Sequence, residues 1–144
     1  MPDCLPMDTP TRSASPANLL AVVSEDELLL QALVREVLKQ EGFHVETFGT
    51  ADAALQFLEL HWQQVNVVVS NVRMPGVIDG VQLAKIVSER WPAVPFVLMS
   101  GYAGLRSDIP SGVPFLHKPW TLDQLTEAVW KVVPRPDFPG PAAS

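Results

Sequence analysis

The run Val65-Asn66-Val67-Val68-Val69-Ser70-Asn71 most constrains what this chain can fold into. Its core is unbroken and β-branched, and the turn sequence Met74-Pro75-Gly76 follows closely. A run of that kind, too short for a buried helix and bounded by turn signals, reads as a strand covered on both faces. A strand covered on both faces needs helices on each side of its sheet, which points to an open, parallel α/β fold. In such sheets the chemistry gathers past the carboxyl ends of the strands. Asn71, the polar residue at that end, is therefore the first candidate site residue.

The rest of the chain repeats the pattern. Leu19 to Val23 is a second buried strand, ending in Ser24-Glu25-Asp26-Glu27. Leu30, Leu33, Val34, Val37 and Leu38 then recur at helical spacing, with acidic residues at the helix start and Gly42 at its stop. His44 to Phe48 alternates and reads as a strand near the sheet edge. Thr50 is placed to cap a helix carrying Ala54, Leu55, Phe57 and Leu58. After the Val65 strand, Asp79 is placed to cap a helix with Leu83, Ala84, Val87 and Trp91 inward, stopped by Pro92. Pro95 to Met99 is a fourth strand, followed by Ser100-Gly101. Tyr102 to Gly112 has no helical period. Val113 to His117 is a short fifth strand, followed by Lys118-Pro119. Thr121 caps a last helix with Leu122, Leu125, Val129 and Val132 inward. Right-handed crossovers then bring Ser24, Glu25, Asn71, Ser100 and Lys118 to one edge of the sheet.

Bulk properties narrow the classes. A chain of 144 residues with 47% hydrophobic content suits one domain with a core that needs no staples. The net charge of -6 disfavours a phosphate-backbone binder, so no nucleic-acid role is expected. The single Cys4 cannot form an internal disulfide and is read as an inert thiol in a reducing, cytoplasmic setting. No apolar run reaches the roughly 18 residues of a membrane span, and the acidic N-terminus is unlike a secretory signal. His44, His61 and His117 are scattered and form no ligand cluster.

In this order and spacing the motifs resemble the receiver domain of two-component response regulators, the CheY-like family. The resemblance covers about Leu19 to Val133 and rests on the acidic cluster after strand one, Asn71-Val-Arg-Met-Pro-Gly76, Ser100-Gly101, and Phe115-x-x-Lys118-Pro119. It implies a flavodoxin-like, doubly wound five-stranded parallel sheet of order 2-1-3-4-5. The domain spans 18–133, after a disordered arm at 1–17 and before a Pro-rich tail at 134–144. It also implies roles. Asn71 stands where the family has its phosphoacceptor aspartate. Ser100 and Lys118 match the phosphoryl-contacting residues, and Phe115 matches the switch aromatic. Ser24 and Glu25 match the pair of acids that binds Mg²⁺.

Two departures set the functional expectation. An amide is no nucleophile for phosphoryl transfer, and Mg²⁺ wants carboxylates among its oxygen ligands. Ser24 and Asn71 are neutral, so Glu25 carries the only formal charge of the three, a loss worth several kcal/mol at a divalent cation. Either no cofactor or weakly bound Mg²⁺ is expected. The segment between Ser100 and Lys118 is short and rich in Pro and Gly, so the family's fourth helix is shortened or missing and a dimer built on it is in doubt. The loop at Met74 to Gly80 is one residue longer than the Met-Pro-Gly-x-Asp-Gly form.

The expectation is a single-domain response regulator, a pseudo-receiver rather than an enzyme. It would act in phosphorelay signalling by binding a histidine kinase or another signalling protein. Two alternatives stay open. One is a competent receiver, with Asn71 introduced for a native aspartate or with Asp26 or Ser24 as acceptor. The other is a doubly wound phosphohydrolase, disfavoured because Asn71 is no nucleophile and the chain has no Asp-x-Asp or Gly-rich phosphate loop. Plainer roles also stay open: Asn71 bonding its own loop, Glu25 and Asp26 as helix-start charges, Lys118 on the surface, Phe115 in the core, and Trp120 and Trp130 either packing or forming a partner patch.

Overall fold

The structure, a computed structural model, describes residues 19–100, 109–117 and 119–134. Cys4 and Lys118, the arm at 1–17 and nearly all of the tail at 134–144 lie outside the described residues. The elements run β1 (Leu19–Ser24), α1 (Leu28–Gln40), β2 (Phe43–Phe48), α2 (Ala51–His61), a 3-10 turn (Trp62–Gln64), β3 (Val67–Asn71), α3 (Gly80–Arg90), β4 (Phe96–Ser100), β5 (Phe115–His117) and α4 (Leu122–Val132). The five strands form one sheet of order β2-β1-β3-β4-β5, and every pairing is parallel. This is the flavodoxin-like arrangement that the βα alternation implies.

The sheet divides the core into two layers. On one side Val22, Val68, Phe96 and Leu98 meet Ala54, Leu58, Leu83 and Val87 from α2 and α3. On the other, Val23, Val69, Val97 and Met99 meet Val34, Leu38, Leu125 and Val129 from α1 and α4. Alternate residues of β3 thus feed opposite layers, which is why its valine run has no polar face. Residues 109–114, between β4 and β5, hold a turn at Ser111–Gly112 and no helix, in keeping with a shortened fourth helix. None of the described helices is long and apolar enough to cross a membrane.

The expected caps form. Thr50 Oγ1 accepts from Ala53 N at 3.0 Å. Asp79 with Gln82, and Thr121 with Gln124, form reciprocal capping boxes. Gly42 has φ +104°, the left-handed setting that stops α1. Several local expectations need correction, among them Leu122, expected inward on α4, which is 47% exposed. Leu33 is 43% exposed, because the buried stripe of α1 is Val34, Val37 and Leu38 with Leu30 beside it. The acidic residues do not enter the first turn of α1; Glu27 is its N-cap and makes no side-chain cap bond. Glu25 Oε2 instead accepts from Glu27 N at 2.9 Å, just before the helix. Strand β5 starts two residues later than expected, at Phe115, although Pro114 already offers its carbonyl to Leu98 N at 2.9 Å. A proline can accept in a ladder but not donate.

Among the described glycines, the closest approach is at Gly80, where α3 meets β3. Gly80 N donates to Val72 O at 2.8 Å. A Cβ on Gly80 would run into the Asn71 carbonyl, lying 2.8 Å from its carbon and 3.0 Å from Ser70 Oγ. Both obstacles sit at the end of a buried strand, so neither can yield cheaply. Gly80→Ala is therefore expected to destabilise the fold by about 2 kcal/mol or more, read as a lower urea midpoint at unchanged slope.

Candidate functional site

The buried polar residues among those described are five: Ser24, Glu25, Ser70, Asn71 and Ser100. All sit at or just past the carboxyl ends of β1, β3 and β4. The sheet register accounts for the gathering. Ser24 pairs with Ser70, Asn71 with Met99, and Ser100 with His117, so the three strands end level. Buried polar groups collected at one sheet edge, under an otherwise apolar core, mark a site.

The Asn71 and Glu25 side chains are tied to their own loops. Asn71 is 8% exposed, and its Nδ2 donates to Arg73 O at 3.0 Å. The Asn71 carbonyl accepts from Ser70 Oγ at 2.9 Å. Glu25 is 1% exposed; Gln31 Nε2 donates to its backbone oxygen at 2.9 Å, which ties the acidic turn to α1. Asp26, next along, is exposed and does not join the site. Ser24 Oγ is buried and makes no hydrogen bond with the described residues. Phe115 is partly buried, packs against the α2–α3 layer, and stands edge-on to the His117 ring at 4.6 Å.

Of the residues singled out from the sequence, the fold brings Ser24, Glu25, Asn71 and Ser100 to one edge. Phe115 lies on β5, at the edge of the sheet. Trp62 and Trp91 stack at 6.2 Å between centroids, away from this edge at the ends of α2 and α3. Trp130 donates from Nε1 to Glu41 at 2.8 Å and packs on Phe43, so it has a structural role.

The donor set does not fit Mg²⁺. It offers one carboxylate, with an oxygen already engaged by Glu27 N, beside a neutral hydroxyl and a neutral amide. Among the described residues no group of three or more His, Cys, Asp or Glu is placed to hold a metal ion. Asn71 offers no ionised oxygen, so it cannot act as a carboxylate nucleophile.

Three contributors were not legible in the sequence. Asp52, on the first turn of α2, accepts from Val77 N at 3.1 Å through Oδ2 and from Ile78 N at 3.0 Å through Oδ1. Asn66 Oδ1 accepts from Leu20 N at 2.8 Å, and Asn66 N donates to Leu20 O at 2.8 Å, which sets β1 against β3. Gly80 makes room for the end of β3. Asp52 reaches 25 and 26 positions along the chain, a span that no local pattern reports.

Comparison with known proteins places this geometry. The sequence is 36% identical over 118 residues to the hydrogenase transcriptional regulatory protein HoxA of Cupriavidus necator, covering 78% of this chain and 23% of that protein. The chain spans about a quarter of the length of the curated regulators it matches. A response regulator receiver protein of Sinorhizobium medicae superposes with a TM-score of 0.75 at 28% identity, covering 79% of this chain and 93% of that one. The response regulator TrrA of Thermotoga maritima, solved in complex with Mg(2+)-BeF, superposes with a TM-score of 0.69 at 26% identity, covering 80% of this chain and 99% of that one. The family model for the response regulator receiver domain matches residues 21–130. With the 2-1-3-4-5 sheet and the polar edge built at its strand ends, the chain belongs to the response regulator receiver domain family.

Proposed function

We propose that this receiver domain works in two-component signalling by binding protein partners, and that it takes no phosphoryl group at Asn71. The observation that carries the reading is the state of Asn71 itself. It sits at the end of the central strand, at the polar edge, with a neutral amide committed to Arg73 O. In this reading Asn71 holds the phosphoacceptor place without its chemistry. Ser100 and Lys118 keep the phosphoryl-contact places, and Phe115 keeps that of the switch aromatic. Ser24 and Glu25 are a depleted Mg²⁺ pair, so the cation binds weakly or not at all.

The electrostatics support that assignment. Crowded carboxylates in a buried pocket repel unless a cation or proton intervenes. With Ser24 and Asn71 neutral, Glu25 is the one carboxylate among the described buried polar residues. The domain therefore needs no divalent ion to tolerate its own polar edge. A histidine kinase or another signalling protein is the partner class; the module does no chemistry of its own.

Two measurements test this. Intact-mass analysis after incubation with acetyl phosphate and Mg²⁺ is expected to show an unmodified chain, and an Asn71→Asp variant is expected to gain a phosphate adduct. An adduct on the wild-type protein, on Asp26 or Ser24 for instance, would sink the proposal. Titration of tryptophan fluorescence with Mg²⁺ is expected to show no saturable site below about 1 mM. A tight site would contradict the depleted donor set.

A further inference from the structure

We propose that Asp52 is a positioning residue for the Asn71 site: its carboxylate latches the loop between β3 and α3 and holds it in one setting. This rests on the reading of a phosphorylation-independent receiver and extends it, by naming what orders the loop when no phosphoryl group does.

The loop is fastened at three levels. At its base, Val72 N donates to Met99 O and Gly80 N donates to Val72 O, both at 2.8 Å. Next, Asn71 Nδ2 holds Arg73 O at 3.0 Å. At its tip, the two oxygens of Asp52 each accept one of two successive amides, Val77 N at 3.1 Å and Ile78 N at 3.0 Å. Successive backbone N–H groups form a concavity suited to an anion, and an ionised acceptor makes both bonds charge-assisted. Of these fasteners, only the one at the tip comes from a separate helix.

Local details show that Asp52 is committed to the loop and not to its own helix. Thr50 Oγ1 already caps α2 through Ala53 N, so that helix does not depend on Asp52 for its cap. Gly76 stands at φ +111°, a setting that disfavours any side chain, and a Cβ there would lie 3.1 Å from Asp52 Oδ1. Val77 and Ile78 are the two residues between Gly76 and Asp79, and both spend their amides on Asp52. The residue that lengthens the loop thus completes the cradle. The latched tip carries Val77, 87% exposed, on the loop that begins at Asn71. Releasing the latch would loosen both that tip and the Asn71–Arg73 bond that shares the loop.

Amide hydrogen exchange followed by NMR on the full chain tests the latch. Asp52→Ala is expected to speed exchange at Val77 and Ile78 by about tenfold, leave the Val67–Val69 amides unchanged, and reduce protection of the Asn71 side-chain amide. Asp52→Asn keeps one oxygen acceptor and is expected to restore protection at one of the two amides. Unchanged exchange at Val77 and Ile78 in Asp52→Ala would overturn the proposal. So would acceleration spread evenly over loop and sheet in both variants. The acetyl phosphate experiment reports separately: an adduct on the wild-type chain would end the phosphorylation-independent reading and leave the exchange result standing.

Discussion

Parallel pairing of β3 between β1 and β4 is the constraint on which the rest of the structure depends. Its valines contribute to both core layers, so the strand cannot be exposed on either side. Parallel neighbours in turn require crossover helices, and those cover both faces. Because every strand runs the same way, the polar residues after β1, β3 and β4 have no choice but to meet. The site is a geometrical consequence of how the apolar run is buried.

That meeting has an electrostatic cost which this chain keeps low. A buried charge is tolerated when it is hydrogen-bonded, and Glu25 takes the Glu27 amide on Oε2. Its neighbours at the edge, Ser24, Ser70, Asn71 and Ser100, are neutral and compact. Neutral groups can be satisfied by local bonds such as Ser70 Oγ to Asn71 O and Asn71 Nδ2 to Arg73 O. Local bonds of this kind order the start of the loop after β3 at the polar edge.

Much of the fold was legible because it rests on local patterns. Strand β3 reads from Val67 to Val69, the caps from Thr50, Asp79 and Thr121, and the stop of α1 from Gly42. The misplacements have physical reasons. Leu33 fits a helical period but lies off the buried stripe, since periodicity gives an angle and not the width of the covering sheet. The acids before α1 look like helix-dipole partners, yet Glu25 bonds ahead of the helix because its side chain is turned into the site. Asp52 looks like an ordinary first-turn acid, and its bonds to Val77 and Ile78 join residues that only the sheet brings together.

The sequence by itself determined the parallel architecture, the family, and the neutral amide at Asn71. All three follow from residue identity and spacing. The tertiary structure alone decided how the polar edge is held. The close seat of Gly80 on β3, the clamp of Asn66 on Leu20 and the reach of Asp52 to the loop are contacts between distant segments. Such contacts depend on the register of strands and the approach of helices, which are set when the whole core packs and leave no periodic trace in the chain.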